Sequence, residues 1–345
     1  MESLGFQGEN KMYLNRENLY QKLERQLDTK LLVYITSDRP GYETRIAQDV
    51  IDLFINHLEK IGSVPRISLY LYTRGGDIAA AWNIINLLRM YCDEFQVIIP
   101  HKAHSAGTLI SIGANSIIMT KQATLGPIDP SLNTAMNPAI PGAVAQTFPV
   151  SVEDVNGYLE FAQEQLGIKD DMALANIMIK LSEKVHPLVL GKVYRSRAQI
   201  KMLAEKLLSN QVNDTGKIKQ IIAFLCSDSG SHDYTINRRE AKSQLGLNII
   251  KPNDELYQTI NAIYQDISTE LCLGKSYNIR ELASVNNGQY NICRGLIESI
   301  AGGSDGYWSR GRIQINNGIP GGIQDEHTSD GWEHAEQDVI KDADK

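Results

Sequence analysis

The chain has 345 residues, of which 42% are hydrophobic and 22% charged, and its net charge is −7 with a pI near 5.6. This composition is typical of a globular protein with a sizeable core, and the acidic balance argues against a general nucleic-acid-binding surface. No apolar run approaches the roughly 18 residues of a membrane span, and the four cysteines are too widely spaced for a clustered metal site. We therefore expect a cytoplasmic protein with reduced thiols.

Hydrophobic periodicity divides the chain into alternating helices and strands, followed by an acidic tail. In chain order, the prediction is helix 16–27, strand 31–36, helix 46–61, strand 67–72, helix 78–90, strand 95–100, helix 106–114, strand 117–119, a helical stretch 153–208 interrupted near Gly167 and at Pro187, helix 217–225, strand 249–252, helix 253–272, and strands 290–300 and 308–315 paired as a hairpin. Residues 318–345 are rich in glycine and then acidic, which predicts a disordered tail.

Two strand–turn–helix corners carry the most specific chemistry of the chain. Residues 73–77, Thr-Arg-Gly-Gly-Asp, end one buried strand, and residues 104–107, His-Ser-Ala-Gly, end the next. Parallel βαβ units place both corners at the carboxyl edge of one sheet. One corner offers glycine amides and the other a serine at the start of a helix. Acyl transfer needs this combination, a nucleophile beside preset N–H donors for an oxyanion.

Each corner alone also has a simple structural interpretation. Gly75 and Gly76 would form a plain turn, because glycine reaches positive φ without a steric penalty. Ser105 would be a plain helix N-cap. The two corners in this order, followed by Leu-Gly-Pro-Ile-Asp-Pro at residues 125–130, favour the functional interpretation.

The segment 31–247 resembles the Clp-protease and signal-peptide-peptidase group of serine peptidases, and within it the serine dehydrogenase proteinase (SDH_sah) family. The resemblance rests on Arg-Gly-Gly-Asp at residues 74–77, on residues 104–108 and 125–130, and on His-Pro-Leu at residues 186–188 running into residues 193–196. It implies an α/β Clp-protease/crotonase-like fold of repeated ββα units, with a mainly helical insertion and a small C-terminal extension.

The resemblance also implies roles for the residues of the two corners. Ser105 would be the nucleophile, and the N–H groups of Gly75 and Ala106 would hold the oxyanion. Gly76 would lie beside them, where an extended substrate adds to the sheet edge. We expect no cofactor and no metal.

The general base stays open at the level of the sequence. A serine hydroxyl needs a neighbour that takes its proton, but Asp129 occupies the place of the histidine of the Clp family, so it marks where the family's base is lost. The family's aspartate carries over to Asp233. His186 is the first candidate for the base, although it could equally be a helix residue hydrogen-bonded for structure. The alternatives are Lys184, Lys192, His104 and His232.

Four regions follow from these assignments. We expect an N-terminal helical segment at 1–30, a Clp-protease-like serine peptidase domain at 31–252, an α+β extension at 253–317 and the acidic tail at 318–345.

The leading functional hypothesis is a cytoplasmic serine peptidase acting on a peptide or protein substrate. The resemblance implies a homo-oligomer. Because the chain has no GxxxxGK[ST] motif, any unfoldase or regulator would be a separate partner. A catalytically inactive scaffold or binding protein is the main alternative, favoured by Asp129 at the histidine position. Acyl-CoA chemistry ranks last, because it does not need Ser105.

Overall fold

The computed structural model describes residues 6–128, 131–132, 134–140, 146–228, 233–276, 278–284, 286–315, 318 and 322–335. The chain forms two compact units. Met1–Leu125 with Asn237–Lys345 make the sheet unit, and Gly126–Ile236 make the helical unit. The mixture of a large sheet with helices confirms the predicted α/β class.

The strands include every one that the sequence predicts. They are β1 (Lys30–Thr36), β2 (Val64–Tyr72), β3 (Cys92–Ile99), β4 (Lys102–Ala103), β5 (Ser116–Met119), β6 (Thr124–Leu125), β7 (Ser131–Leu132), β8 (Val150–Ser151), β9 (Ile236–Asn237), β10 (Ile249–Ile250), β11 (Gln289–Ser299), β12 (Gly303–Ile315) and β13 (Ile323–His334).

The helices follow the predicted order. They are α1 (Phe6–Leu27), α2 (Ile51–Ile61), α3 (Ile78–Tyr91), α4 (Ala106–Ile112), α5 (Val152–Glu160), α6 (Asp171–Ser182), α7 (Pro187–Leu208), α8 (Thr215–Ala223), α9 (Arg238–Ser243), α10 (Asp254–Glu270) and α11 (Ile279–Ser284). Within the described ranges, none of these helices is long and apolar enough to cross a membrane.

An eight-stranded sheet in the order β10-β5-β3-β2-β1-β11-β12-β13 organises the sheet unit. The strands from β10 to β1 are parallel, and β11 to β13 add to β1 as antiparallel strands. Helices α1 and α10 pack on one face, where Tyr20 and Ile263 join the core around Val33. On the other face Phe54 of α2 meets Tyr34 edge to face at 5.3 Å. Since both faces are covered, β1 to β3 are continuous apolar runs.

The sheet topology divides the chain differently from the four expected regions. Strands β11 and β12, expected in an extension at 253–317, hydrogen-bond into the same sheet as β1, and the register pairs Tyr34 with Ile297. The segment 126–236, expected inside one continuous domain at 31–252, forms a compact unit of its own. The local pattern predicts a strand but does not say which strand lies beside it, because strand pairing is a long-range choice.

The prediction of a disordered tail at 318–345 is wrong for Ile323–His334, which form β13 along β12. Its acidic side chains meet arginines: Glu333 receives two hydrogen bonds from Arg310, one of them at 2.6 Å. Trp332 packs edge to face on Tyr307 at 5.4 Å. The acidic charge of this segment predicts disorder because the arginines that pair with it come from distant parts of the chain and lie beside it only in the folded sheet. Residues 336–345 lie outside the described residues.

The prediction of one helix over residues 46–61 needs a similar correction. A 3₁₀ turn at Gln48–Val50 leads into α2, which begins at Ile51. Ile46 instead forms a parallel bridge with Gly76. The spacing of its apolar side chain matches the helical stripe, but its backbone pairs with Gly76 of the first corner.

A buried arginine ties α1 to α10 and to β11. Arg16 is 1% exposed and donates to Glu298 at 2.7 Å, to Glu270 at 2.6 Å and to Asp266 at 2.6 Å. One guanidinium therefore serves three carboxylates. Burial, together with the charge of Glu298, outweighs Arg16 and raises the pKa of Glu270 to about 7.

We expect Arg16→Met to lower the free energy of unfolding by about 3–5 kcal/mol, because Glu298 would stay buried without its cation. Urea unfolding of the full chain measures this loss. The matched control is Arg25→Met, which removes an exposed arginine from the same helix and should change stability by less than about 0.5 kcal/mol. Similar small effects of both substitutions would show that the cluster does not anchor α1.

Candidate active site

The structure brings the two strand–turn–helix corners into direct contact. The Thr73 N–H donates to the Lys102 carbonyl at 3.1 Å, and the His104 N–H donates to the Thr73 carbonyl at 3.1 Å. Gly75 has φ +109°, and a Cβ placed on it would lie 2.7 Å from the Cβ of Ser105. The first corner therefore needs glycine both for its backbone conformation and for its approach to the serine.

Ser105 occupies a strained backbone conformation at the start of α4. Its φ is +51° and its ψ is −116°, a combination that costs a non-glycine residue on the order of 1–3 kcal/mol. The side chain is half-buried and caps no helix N–H, and it has no hydrogen-bond partner among the described residues. The plain N-cap interpretation of Ser105 is therefore wrong. A sharp strand-to-helix turn that presents an uncommitted serine hydroxyl is the geometry of a nucleophile elbow.

The backbone amides around Ser105 differ in their availability. The Ala106 N–H, next to the serine, has no acceptor in the described part of the chain. The Gly75 N–H, which the resemblance assigns to the oxyanion, donates to Thr73 Oγ1 at 2.9 Å instead. Thr73 is fully buried, and its hydroxyl oxygen also accepts from Thr36 Oγ1 at 2.8 Å. In this structure the Gly75 donor is thus already used.

His104 is turned away from the role of a base. Its Nε2 lies 2.9 Å from Thr124 Oγ1, so the imidazole is held against β6.

The other proposed acid–base residues belong to the helical unit. His186 is exposed at the N-cap of α7, directly before Pro187, and its Nδ1 accepts the Leu188 N–H at 3.2 Å. The structure thus gives this imidazole a capping function, which is the structural interpretation left open by the sequence. Lys184, Lys192 and Asp233 are also exposed. Asp129 and His232 lie outside the described residues.

A Ser–His–Asp set that the sequence analysis missed lies elsewhere in the sheet unit. His57 Nδ1 is 2.7 Å from Ser299 Oγ, and His57 Nε2 is 2.8 Å from Asp305 Oδ2. Burial opposes ionisation of Asp305, but hydrogen bonds to His57 and His334 lower the pKa of its carboxyl group. Ser299 and His57 are only 1% exposed, so no substrate reaches them. This network is structural, and no local pattern predicts it, because Ser299 and His57 are 242 residues apart.

No sequence motif singled out Lys102, which lies three residues before Ser105. Lys102 Nζ lies 2.6 Å from Asp38 Oδ2, and the Tyr72 hydroxyl donates to the same oxygen at 2.8 Å. Burial raises the pKa of Asp38, but the hydrogen bonds from Lys102 and Tyr72 bring it below its usual value. The Lys102 ammonium is therefore already engaged by a carboxylate in this structure.

Comparison with known proteins bears on the same segment. Residues 58–165, which contain both corners, match the family model of the ClpP-like SDH-type serine proteinases. The chain is 30% identical over 211 residues to the uncharacterized protein MJ0137 of Methanocaldococcus jannaschii, across 60% of this chain and 63% of that protein. It is 26% identical over 249 residues to MJ1495 of the same organism, across 68% of this chain and 72% of that protein. The chain thus spans less than two thirds of MJ0137.

Two solved structures show weaker similarity. The 1510-N membrane-bound stomatin-specific protease is 16% identical, with a TM-score of 0.36 over 69% of this chain and 85% of that one. ClpP1 from Listeria monocytogenes is 14% identical, with a TM-score of 0.35 over 68% of this chain and 98% of that one.

We expect Gly75→Ala to destabilise the chain by at least about 2 kcal/mol, because it combines a disfavoured φ with a steric clash against Ser105. Gly62→Ala is the matched control: its φ is +74°, but a Cβ there meets nothing within 4 Å. The control should cost only the backbone strain, on the order of 1–3 kcal/mol, and less than Gly75→Ala, which adds the clash. Thermal unfolding of both variants separates the two contributions, and equal losses would contradict close packing at Gly75.

Proposed function

We propose that this chain, whose residues 58–165 are a ClpP-like SDH-type serine proteinase segment, is a serine peptidase with Ser105 as its nucleophile. The observation that carries the proposal is the strained turn that presents the Ser105 hydroxyl beside the glycine corner. The retained Ser105 favours catalysis over the scaffold alternative.

In the proposed mechanism, an extended peptide adds to the sheet edge beside Gly75 and Gly76. Ser105 Oγ forms a bond to the scissile carbonyl carbon while the base takes the hydroxyl proton, and the carbonyl electrons move onto the oxygen. The Ala106 N–H donates to this oxyanion. Collapse of the intermediate breaks the C–N bond, and the amine leaves with the proton held by the base. Water then hydrolyses the acyl-enzyme by the same route.

We propose His186 as the base and Asp233 as its orienting carboxylate, with Asp129 marking the lost histidine of the Clp family. Lys184 and Lys192 are the alternatives, because a lysine whose pKa is lowered by desolvation can take the proton of a serine. The resemblance to the family supports Asp233, whereas His186 is proposed from its place between apolar residues and directly before Pro187. We further propose a cytoplasmic homo-oligomer, for which any unfoldase or regulator would be a separate partner.

We expect a fluorophosphonate probe to label the purified chain and to lose that labelling in Ser105→Ala, because the probe reacts with an activated serine hydroxyl. Gel fluorescence and intact mass measure the adduct. Ser243→Ala, which removes an exposed serine on α9, is the control and should label like the wild type. Absence of labelling in a folded wild-type chain would favour the scaffold alternative.

We expect His186→Asn to slow labelling about a hundredfold or more if the imidazole is the base, because general-base catalysis contributes that much. Asparagine is chosen because it also caps helices, so α7 should keep its stability. The labelling rate and the melting temperature are measured together. A wild-type rate with an unchanged melting temperature would assign His186 to capping alone and move the search to Lys184, Lys192 and Asp233.

A further inference from the structure

We infer that Asp38 is a positioning residue for the nucleophile, because it joins the two corners through Tyr72 and Lys102. These three residues are called the Asp38 bridge below. The inference rests on the proposed function of Ser105. It starts from the backbone of that serine, whose φ of +51° and ψ of −116° are strained and persist only where the surrounding structure enforces them.

Tyr72 and Lys102 lie just before the two corners in the chain. Tyr72 is the last residue of β2, which leads into the glycine corner. Lys102 is the first residue of β4, three positions before Ser105. Strand β4 is only two residues long, so its pairing with β6 gives the serine corner a short anchor. A side-chain contact at Lys102 therefore adds a second anchor close to the strained turn.

One carboxylate oxygen accepts a hydrogen bond from each side. Lys102 Nζ donates to Asp38 Oδ2 at 2.6 Å, and the Tyr72 hydroxyl donates to the same oxygen at 2.8 Å. Asp38 follows β1, the strand that pairs with β2. The side chains of Lys102 and Asp38 are 23% and 11% exposed, so solvent ions screen this pair less than a surface pair. A single charged oxygen thus fixes the residues before both corners relative to each other.

Aromatic packing holds the Tyr72 hydroxyl at Asp38. Tyr72 is buried, and its ring centroid lies 5.5 Å from that of Tyr264 of α10 and 6.3 Å from that of His101. Lys102 Nζ lies 5.5 Å from the centroid of the same ring. The Asp38 bridge therefore rests on a packed ring and not on a mobile surface side chain.

A second ion pair joins the opposite ends of the same strands and provides a control. Arg66 near the start of β2 binds Glu94 near the start of β3, with Nη2 2.6 Å from Oε2. The two residues are also direct neighbours in the sheet register. Because this pair lies at the ends of the strands away from the corners, its loss should leave the Ser105 turn unchanged.

The reaction of Ser105 with diisopropyl fluorophosphate tests the inference in the full chain. We expect Lys102→Met to lower the maximal rate constant about tenfold or more with unchanged reagent affinity, because the serine loses its fixed position. Lys102→Arg should restore most of the rate, because a guanidinium donates to the same carboxylate. The control Glu94→Gln should stay within about twofold of the wild type, since its ion pair is half-exposed.

Each other result contradicts the inference. A folded Lys102→Met chain that reacts at the wild-type rate would overturn it and leave the proposed function intact. Arginine does not accept a proton in proteins, so an inactive Lys102→Arg chain would assign Lys102 to proton transfer instead. A folded wild-type chain that forms no adduct at Ser105 would overturn the proposed function as well.

Tyr72→Phe decides if Lys102→Met does not fold. This variant keeps the packed ring and removes only one hydrogen bond to Asp38. We expect the rate constant to fall roughly two- to tenfold, which corresponds to the loss of one hydrogen bond. A wild-type rate constant in folded Tyr72→Phe would overturn the inference.

Discussion

The close approach of Gly75 to Ser105 is the constraint on which the candidate site depends. A Cβ at Gly75 would lie 2.7 Å from that of Ser105, so the two corners meet only because one of them is glycine. Parallel pairing of β2 with β3 brings the corners to one sheet edge. The contact lets a strained serine and the glycine amides share one small volume. Catalytic geometry and backbone packing are therefore the same feature here, since any side chain at Gly75 would disturb both.

The remainder of the sheet unit holds these corners in place from a distance. Strand β1 lies between β2 and β11, and β11 carries Glu298, the carboxylate that binds Arg16 of α1. Arg16 thus joins the N-terminal helix α1 to the C-terminal strand β11. This contact lies next to β1, the strand that pairs with β2. An arginine surrounded by three carboxylates is costly to bury, and its hydrogen bonds offset that cost only in the assembled sheet. The acidic strand β13 follows the same rule, because Glu333 pairs with Arg310 of β12 and Asp330 lies 3.6 Å from Arg294 of β11.

Two serines in this protein illustrate how surroundings decide the role of a residue. Ser299 has the hydrogen-bonded histidine and aspartate of a triad but is buried beyond the reach of substrate. Ser105 is partly exposed and strained, and its hydroxyl is uncommitted in the described structure. Nucleophilic catalysis needs an accessible oxygen beside N–H donors, and only Ser105 meets these requirements. Within the sheet unit, solvent access to the serine, rather than the side chains around it, distinguishes the catalytic candidate Ser105 from the buried network of Ser299, His57 and Asp305.

The sequence by itself determined the α/β class, the strands and the two corners, because periodicity and glycine–serine motifs act over a few residues. It also pointed to Ser105 and Ala106. Tertiary structure decided that β11 to β13 extend the same sheet, that Ile46 leaves its predicted helix to bridge Gly76, and that Thr73 occupies the Gly75 N–H. It likewise made His186 a helix cap. These outcomes depend on partners distant in the chain or on the direction of one amide, and neither is encoded in local residue spacing.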